Sequence, residues 1–231
     1  MKRLLLAFIL GGCVACAHNT IGDKYIGASY VADPLGEMRA PDTDPLIRTD
    51  AFDCTTFVET ALADGDTEKL NKIRYKNGEI DFMNRNHFIE TEWIPNNSNI
   101  VYNASRKYGK TALRHVMIDR ASWMRRVHNI ESGDAVTETD LVYIPYANID
   151  KIDNTEPLIV LFIVDKSAAR AEKIGTDLAV VHMGFLLPGG VLRHASSTTG
   201  RVVDEDFYEY ISQRRKNKNN LGVTLLGIKN D

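Results

Sequence analysis

Cys54 stands in Asp53-Cys54-Thr55-Thr56-Phe57-Val58, directly ahead of apolar residues at helical spacing, Phe57, Val58, Ala61 and Leu62. A thiol in that position could serve as a nucleophile. Asp53 reads as an N-cap, which puts the sulfur in the first helical turn. Free N–H groups and the helix dipole there favour thiolate and can bring a cysteine pKa from about 8.5 to roughly 3.5–7.5. A buried structural thiol is the competing reading, because free cysteine is among the most often buried residues. A nucleophilic thiol needs a base, and His182 and His194 are placed to supply one. One imidazole would take the thiol proton and the second would orient it, following triad logic.

That arrangement depends on a hairpin. Leu178 to Leu187 is an apolar run typical of a buried strand, Pro188-Gly189-Gly190 is a turn, and Val191 to Ala195 reads as the returning strand. With a three-residue loop, Leu187 pairs with Val191 and Gly184 with His194. His182 and His194 are then diagonal neighbours on one face, about 7–8 Å apart at the backbone. A two-residue loop sends them to opposite faces. Gly184 leaves room beside both histidines for a substrate or another backbone.

Arg85, His87 and Trp93 belong to a dense polar and aromatic cluster with Asn86, Glu90 and Glu92. Arg85 could hold a carboxylate bidentately and Trp93 could stack on a sugar or peptide. A solvated loop with one buried aromatic is the alternative. His87, His182 and His194 could also supply three zinc ligands, but no H-E-x-x-H or similar short pair is present, and zinc leaves Cys54 unexplained. No metal or other cofactor is expected. His115 and His128 fall in stretches read as helical and are assigned to surface or packing, and His18 to the tail. Asp134 and Asp177 could each orient backbone near the site, without a specific signal. The basic run Arg214-Arg215-Lys216 reads as a solvated helix end.

Four separated segments together resemble a known family: Tyr25 to Gly36 with Ser29-Tyr30, the Cys54 motif, Asn84 to Trp93, and His182-Met183-Gly184-Phe185 followed by His194-Ala195-Ser196-Ser197. They are similar to the NlpC-type cell-wall cysteine hydrolases, specifically the branch described as N-acetylmuramoyl-L-alanine amidase-like, and the similarity covers most of the chain after the leader. Histidines twelve residues apart (194 − 182 = 12) are common in that group. The resemblance implies an α+β fold with a papain-like core, an N-terminal helix carrying the cysteine packed on an antiparallel sheet, and a Cys-His-His triad of Cys54, His182 and His194. It also implies that Tyr30 lines the active site opposite the nucleophile, and it favours substrate-binding roles for Arg85, His87 and Trp93. The implied activity is hydrolysis of peptidoglycan or muropeptides at the MurNAc–L-Ala amide. An endopeptidase cutting between D-Glu and the diamino acid is the alternative within the same chemistry. A catalytically silent cell-wall-binding lipoprotein is the alternative outside it.

The elements that must position these residues change character along the chain. Residues 18–50 look irregular, helical spacing follows over the Cys54 segment and Thr67 to Tyr75, and Val101 to Val127 reads as one or two helices. Strands are expected at Leu141–Ile144, Leu158–Val164, Val180–Leu187, Val191–Ala195 and Leu221–Ile228, with a short helix over Lys166–Lys173. Helices first and strands later indicate α+β. We expect one domain over 18–231 with a helical insertion at about 65–130. A 44% hydrophobic composition over 231 residues supports a real core. The net charge of −3 leaves no nucleic-acid footprint.

Residues 1–17 read as a secretory leader: Met-Lys-Arg, a short apolar run from Leu4 to Leu10, then Gly11-Gly12-Cys13. The run is too short to span a bilayer. Leu10-Gly11-Gly12-Cys13 resembles a lipobox, so Cys13 is the expected acylation site, and Ala15-Cys16-Ala17 is a competing cleavage site. The expected product is a periplasmic lipoprotein, monomeric, touching membrane only through its lipid, with a secreted protein as the alternative.

Overall fold

The computed structural model describes residues 20–34 and 36–229. The leader, Cys13, Cys16 and His18 lie outside the described residues. The strands are β1 (Ser29–Tyr30), β2 (Ala51–Phe52), β3 (Val101–Asn103), β4 (Ala112–Ile118), β5 (Thr137–Pro145), β6 (Leu158–Val164), β7 (Val180–Leu187), β8 (Val191–Ser196), β9 (Arg201–Asp206) and β10 (Asn220–Ile228). They join in one mixed sheet in the order β2-β1-β9-β8-β7-β6-β10-β5-β4, with β3 on β10. The helices are α1 (Cys54–Ala63), α2 (Thr67–Arg74), α3 (Ile94–Asn96), α4 (Ser105–Tyr108), α5 (Arg120–Trp123), α6 (Ala168–Ile174) and α7 (Phe207–Arg214). The result is a mixed α+β fold.

β6 is apolar at every position, Leu158-Ile-Val-Leu-Phe-Ile-Val164, because both of its faces are covered. Ile159, Leu161 and Ile163 face a core that includes Phe57, Val58 and Leu62 of α1 with Met183 and Phe185 of β7. Val160 and Phe162 face a second core with Leu192, Phe207 and Ile211, which brings α7 onto the opposite side. Burying each Leu, Phe or Ile contributes about 1.5–3 kcal/mol, so the two layers fix the sheet between α1 and α7.

Three sequence expectations change here. The stretch 101–127 is not one or two helices: it contains β3, α4, β4 and α5. β4 alternates, with Val116 and Ile118 buried and Leu113, His115 and Met117 exposed, a period of two rather than 3.6. It pairs along its length with β5, so His115 sits on a sheet face beside Asp140. The elaboration at about 65–130 is therefore only partly helical. The segment 79–99, which carries the cluster for which a solvated loop is the alternative, buries Phe82, Phe88, Ile89 and Trp93. Its backbone includes π-helical Ile89–Trp93, a conformation frequent at functional sites. The basic run at the end of α7 is also not simply solvated. Arg214 lies over the Phe162 and Tyr210 rings, 5.0 and 5.8 Å from their centroids, and its Nε donates to Tyr146 Oη.

Candidate active site

Asp53 caps α1 as the sequence requires. Its carboxylate accepts from Thr56 N–H at 2.8 Å, and Thr56 Oγ1 accepts from Asp53 N–H at 3.0 Å, a reciprocal capping box. Phe57 N–H returns to the Asp53 carbonyl. The remaining first-turn amides, those of Cys54 and Thr55, belong to residues that line one cavity of about 380 Å³. His182, Met183, Asn86 and His87 line the same cavity. The Met183 amide is close enough to the Cys54 sulfur to favour its thiolate. Cys54 is the free cysteine of the described residues.

The hairpin takes the three-residue loop. Leu187 pairs with Val191 and Phe185 with Arg193. Gly189 and Gly190 both have positive φ, 86° and 81°, which glycine adopts without the Cβ strain of other residues. A β-bulge follows on the other edge of β7, where Phe162 pairs with His182 but Ile163 pairs with Val180, leaving Val181 extra. The bulge re-aims the start of β7. His182 stacks on Phe162 at 5.5 Å, and its Nε2 lies 2.6 Å from His194 Nδ1. Gly184 is needed here: a Cβ at that position would fall 2.7 Å from His194 Cβ.

The chain of contacts continues to a residue that sequence reasoning missed. His194 Nε2 lies 2.6 Å from Glu205 Oε2, on β9, while His194 itself is 1% exposed. Residues 201–206 alternate polar and apolar only weakly and were not read as a strand. The apolar pair Val202 and Val203 behind the Gly200 turn is the signal that could have found it.

Electrostatics differ from the helix-start expectation. Burial pushes the Cys54 thiol up to about 11, the Asp53 carboxylate adds to the rise, and the Met183 amide and Thr55 hydroxyl oppose it. Burial brings His182 down to about 3, with the neighbouring His194 and Arg214 adding to the fall. His194 is also lowered by burial, against the pull of Glu205. Burial thus works against charge on both the thiol and the imidazole that line this cavity.

The other expected residues divide. Tyr30 pairs with Phe52, two residues ahead of Cys54, and its phenol is raised by burial and by the nearby Cys54 and Asp53. His87 lines the cavity, with Nε2 2.8 Å from the Phe82 carbonyl, and burial holds its pKa down to about 3. Arg85 borders an adjoining cavity that shares Asn86, and its guanidinium pairs with Asp42 at 2.8 Å. Trp93 is not a substrate platform. It is 0% exposed, and its Nε1 donates to the buried Glu59 carboxylate at 3.0 Å. The π-helical turn carries its indole inward beneath α1, which a reading of the segment as a loop could not foresee. Asp177 is bound bidentately by Arg114 and Asp134 by Arg120. Among the described residues no three His, Cys, Asp or Glu side chains group as a metal site, and the 2.6 Å contact between the two imidazoles is a hydrogen bond.

Comparison with known proteins follows the same lines. A protein from Legionella pneumophila is 23% identical and superposes with a TM-score of 0.81, covering 91% of this chain and 87% of that one. An N-acetylmuramoyl-L-alanine amidase from Bacteroides uniformis is 23% identical with a TM-score of 0.68, covering 90% of this chain and 97% of that one. At such identity the likeness is one of fold. A search among curated proteins gives no match. The AmiA-like family, described as N-acetylmuramoyl-L-alanine amidase-like, matches residues 20–221, and with nearly the whole described chain inside that match, the protein belongs to this family of amidase-like hydrolases.

Proposed function

We propose that the protein is a cysteine amidase of the NlpC type, with a papain-like core, that cuts the MurNAc–L-Ala amide of peptidoglycan or its fragments. The observation carrying this reading is the hydrogen-bonded pair His194–His182 ending at a cavity that Cys54 also lines. Cys54 Sγ attacks the lactyl carbonyl carbon as its proton passes to His182 Nδ1, and the tetrahedral oxyanion is received by the Cys54 and Thr55 amides. The C–N bond then breaks, and the imidazolium gives its proton to the departing L-Ala amine. Water, deprotonated by His182, hydrolyses the thioester and releases the lactyl carboxylate and the thiol. His194 orients His182, Tyr30 stands near the sulfur on β1 and borders the bound substrate, and His87 contacts substrate. Arg85, already paired with Asp42, is assigned to the adjoining part of the cleft. Acylation at Cys13 would hold the enzyme at a periplasmic membrane surface. Stable residence there takes more than one acyl chain.

Mass spectrometry of products from a defined muropeptide tests the bond. A free intact stem peptide with the muramyl carboxylate is expected, whereas a shortened stem would indicate the D-Glu–diamino acid endopeptidase. Cys54→Ala, a small change at a helix start, should fold normally and lose hydrolysis. Turnover at the native rate in that variant removes the nucleophile.

A further inference from the structure

We propose that Glu205 is a positioning residue for the histidine pair: its carboxylate fixes which nitrogen of His194, and through it which nitrogen of His182, carries a proton. This rests on the nucleophile–base reading above. A carboxylate only accepts hydrogen bonds, so the 2.6 Å contact requires His194 Nε2 to donate. In the neutral ring the lone pair is then on Nδ1, and the 2.6 Å contact between the rings requires His182 Nε2 to donate. The lone pair of His182 falls on Nδ1, the nitrogen that must take the thiol proton. One carboxylate, two residues away in the relay, thus decides whether the base is in its working tautomer.

Charge leads to the same residue. When His182 becomes imidazolium, a positive charge appears at a buried position. The groups facing the pair are Arg214, which disfavours that charge on both rings, and Glu205 and Asp204, which favour it on His194. Cys54 is faced by Asp53, Tyr30 and Tyr210. Asp204 is held by Arg193 Nε at 2.8 Å, so Glu205 is the carboxylate in direct contact with the relay. Its side chain is 36% exposed, beside a cleft also bordered by Asp206, Glu209 and Gln213.

Glu205→Gln keeps the shape but can donate to His194 Nε2, which admits the reversed tautomer. The kcat on a muropeptide is expected to fall at least about tenfold with KM nearly unchanged. Alkylation of Cys54 by iodoacetamide, which needs no knowledge of the scissile bond, should fall in parallel at neutral pH. It should converge with the native rate at high pH, toward the value of about 11 to which burial pushes the thiol, because hydroxide then removes the proton without the imidazole. Glu209→Gln, in the same cleft but outside the relay, should match the native protein. A Glu205→Gln profile that superimposes on the native one, or lies below it by one factor at every pH, overturns the proposal. Loss of muropeptide hydrolysis by every form, with the alkylation difference intact, would instead count against the proposed substrate.

Discussion

Cys54 shows two local effects pulling in opposite directions. A helix N-terminus favours an anion by about 0.3–1 kcal/mol, less than one pKa unit at 1.36 kcal/mol. Full burial can shift a group by up to about 3–5 units, and burial wins: the thiol rises to about 11 while His182 falls to about 3. Burial thus opposes charge on both groups, and in the proposed mechanism proton transfer would accompany attack instead of preceding it. On this basis His182→Ala should reduce kcat/KM nearly as far as Cys54→Ala, because the two act as a unit. His194→Ala should leave more residual turnover, since an orienting residue is less costly to lose than the base. Steady-state kinetics on one muropeptide decides the order, and a more damaging His194→Ala would exchange the two roles.

At the scale of elements, the site is built by the β7–β8 hairpin and its junction with α1. The three-residue loop sets both histidines on one face, the bulge at Val181 turns the start of β7, and Gly184 lets β8 come close. Gly184→Ala would put a methyl 2.7 Å from His194 Cβ and 2.8 Å from the Arg193 carbonyl. The strands must part to accept it. Overpacking of this kind costs about 1–3 kcal/mol, measurable by urea unfolding. Hydrolysis should fall by more than the folded fraction does, because the shift acts on the imidazole contact. Native activity in this variant would mean that the close approach of β8 has no part in orienting the pair.

For the whole molecule, the sheet lies between α1 and α7, and α1 is itself anchored from below. Glu59 accepts from Trp93 Nε1 and from Arg74 Nε at 3.2 Å, and all three side chains are buried. Arg74 also donates to Thr60 Oγ1 and to the Leu46 carbonyl, tying α2 and the irregular N-terminal segment to the cysteine helix. Removing one member strips its buried partners of a hydrogen bond that no water replaces. Trp93→Ala should lower stability by about 3–5 kcal/mol, and Glu59→Ala by a similar amount, as read by urea denaturation. KM of the folded fraction should stay near native. An unchanged unfolding midpoint with weakened muropeptide binding would return Trp93 to the substrate.

The chemistry-bearing residues and their local settings were legible in the sequence because they are properties of short stretches. The Asp53 cap, the extent of β6 and β7, and the turn at Pro188-Gly189-Gly190 follow from side-chain preferences a few residues apart. The turn left two registers open, and only the pairing of Leu187 with Val191 chose between them. Trp93 and Arg85 share one polar segment, yet one is sealed under α1 and the other paired with Asp42, a difference set by partners 34 and 43 residues away. β4 was misread because its strand period is legible only beside β5, and Glu205 was missed because it matters only through His194 on the adjacent strand. The sequence alone determined which groups can react. Packing decided which of them meet, and how far burial moves their protons, because desolvation and contact depend on neighbours that chain order does not specify.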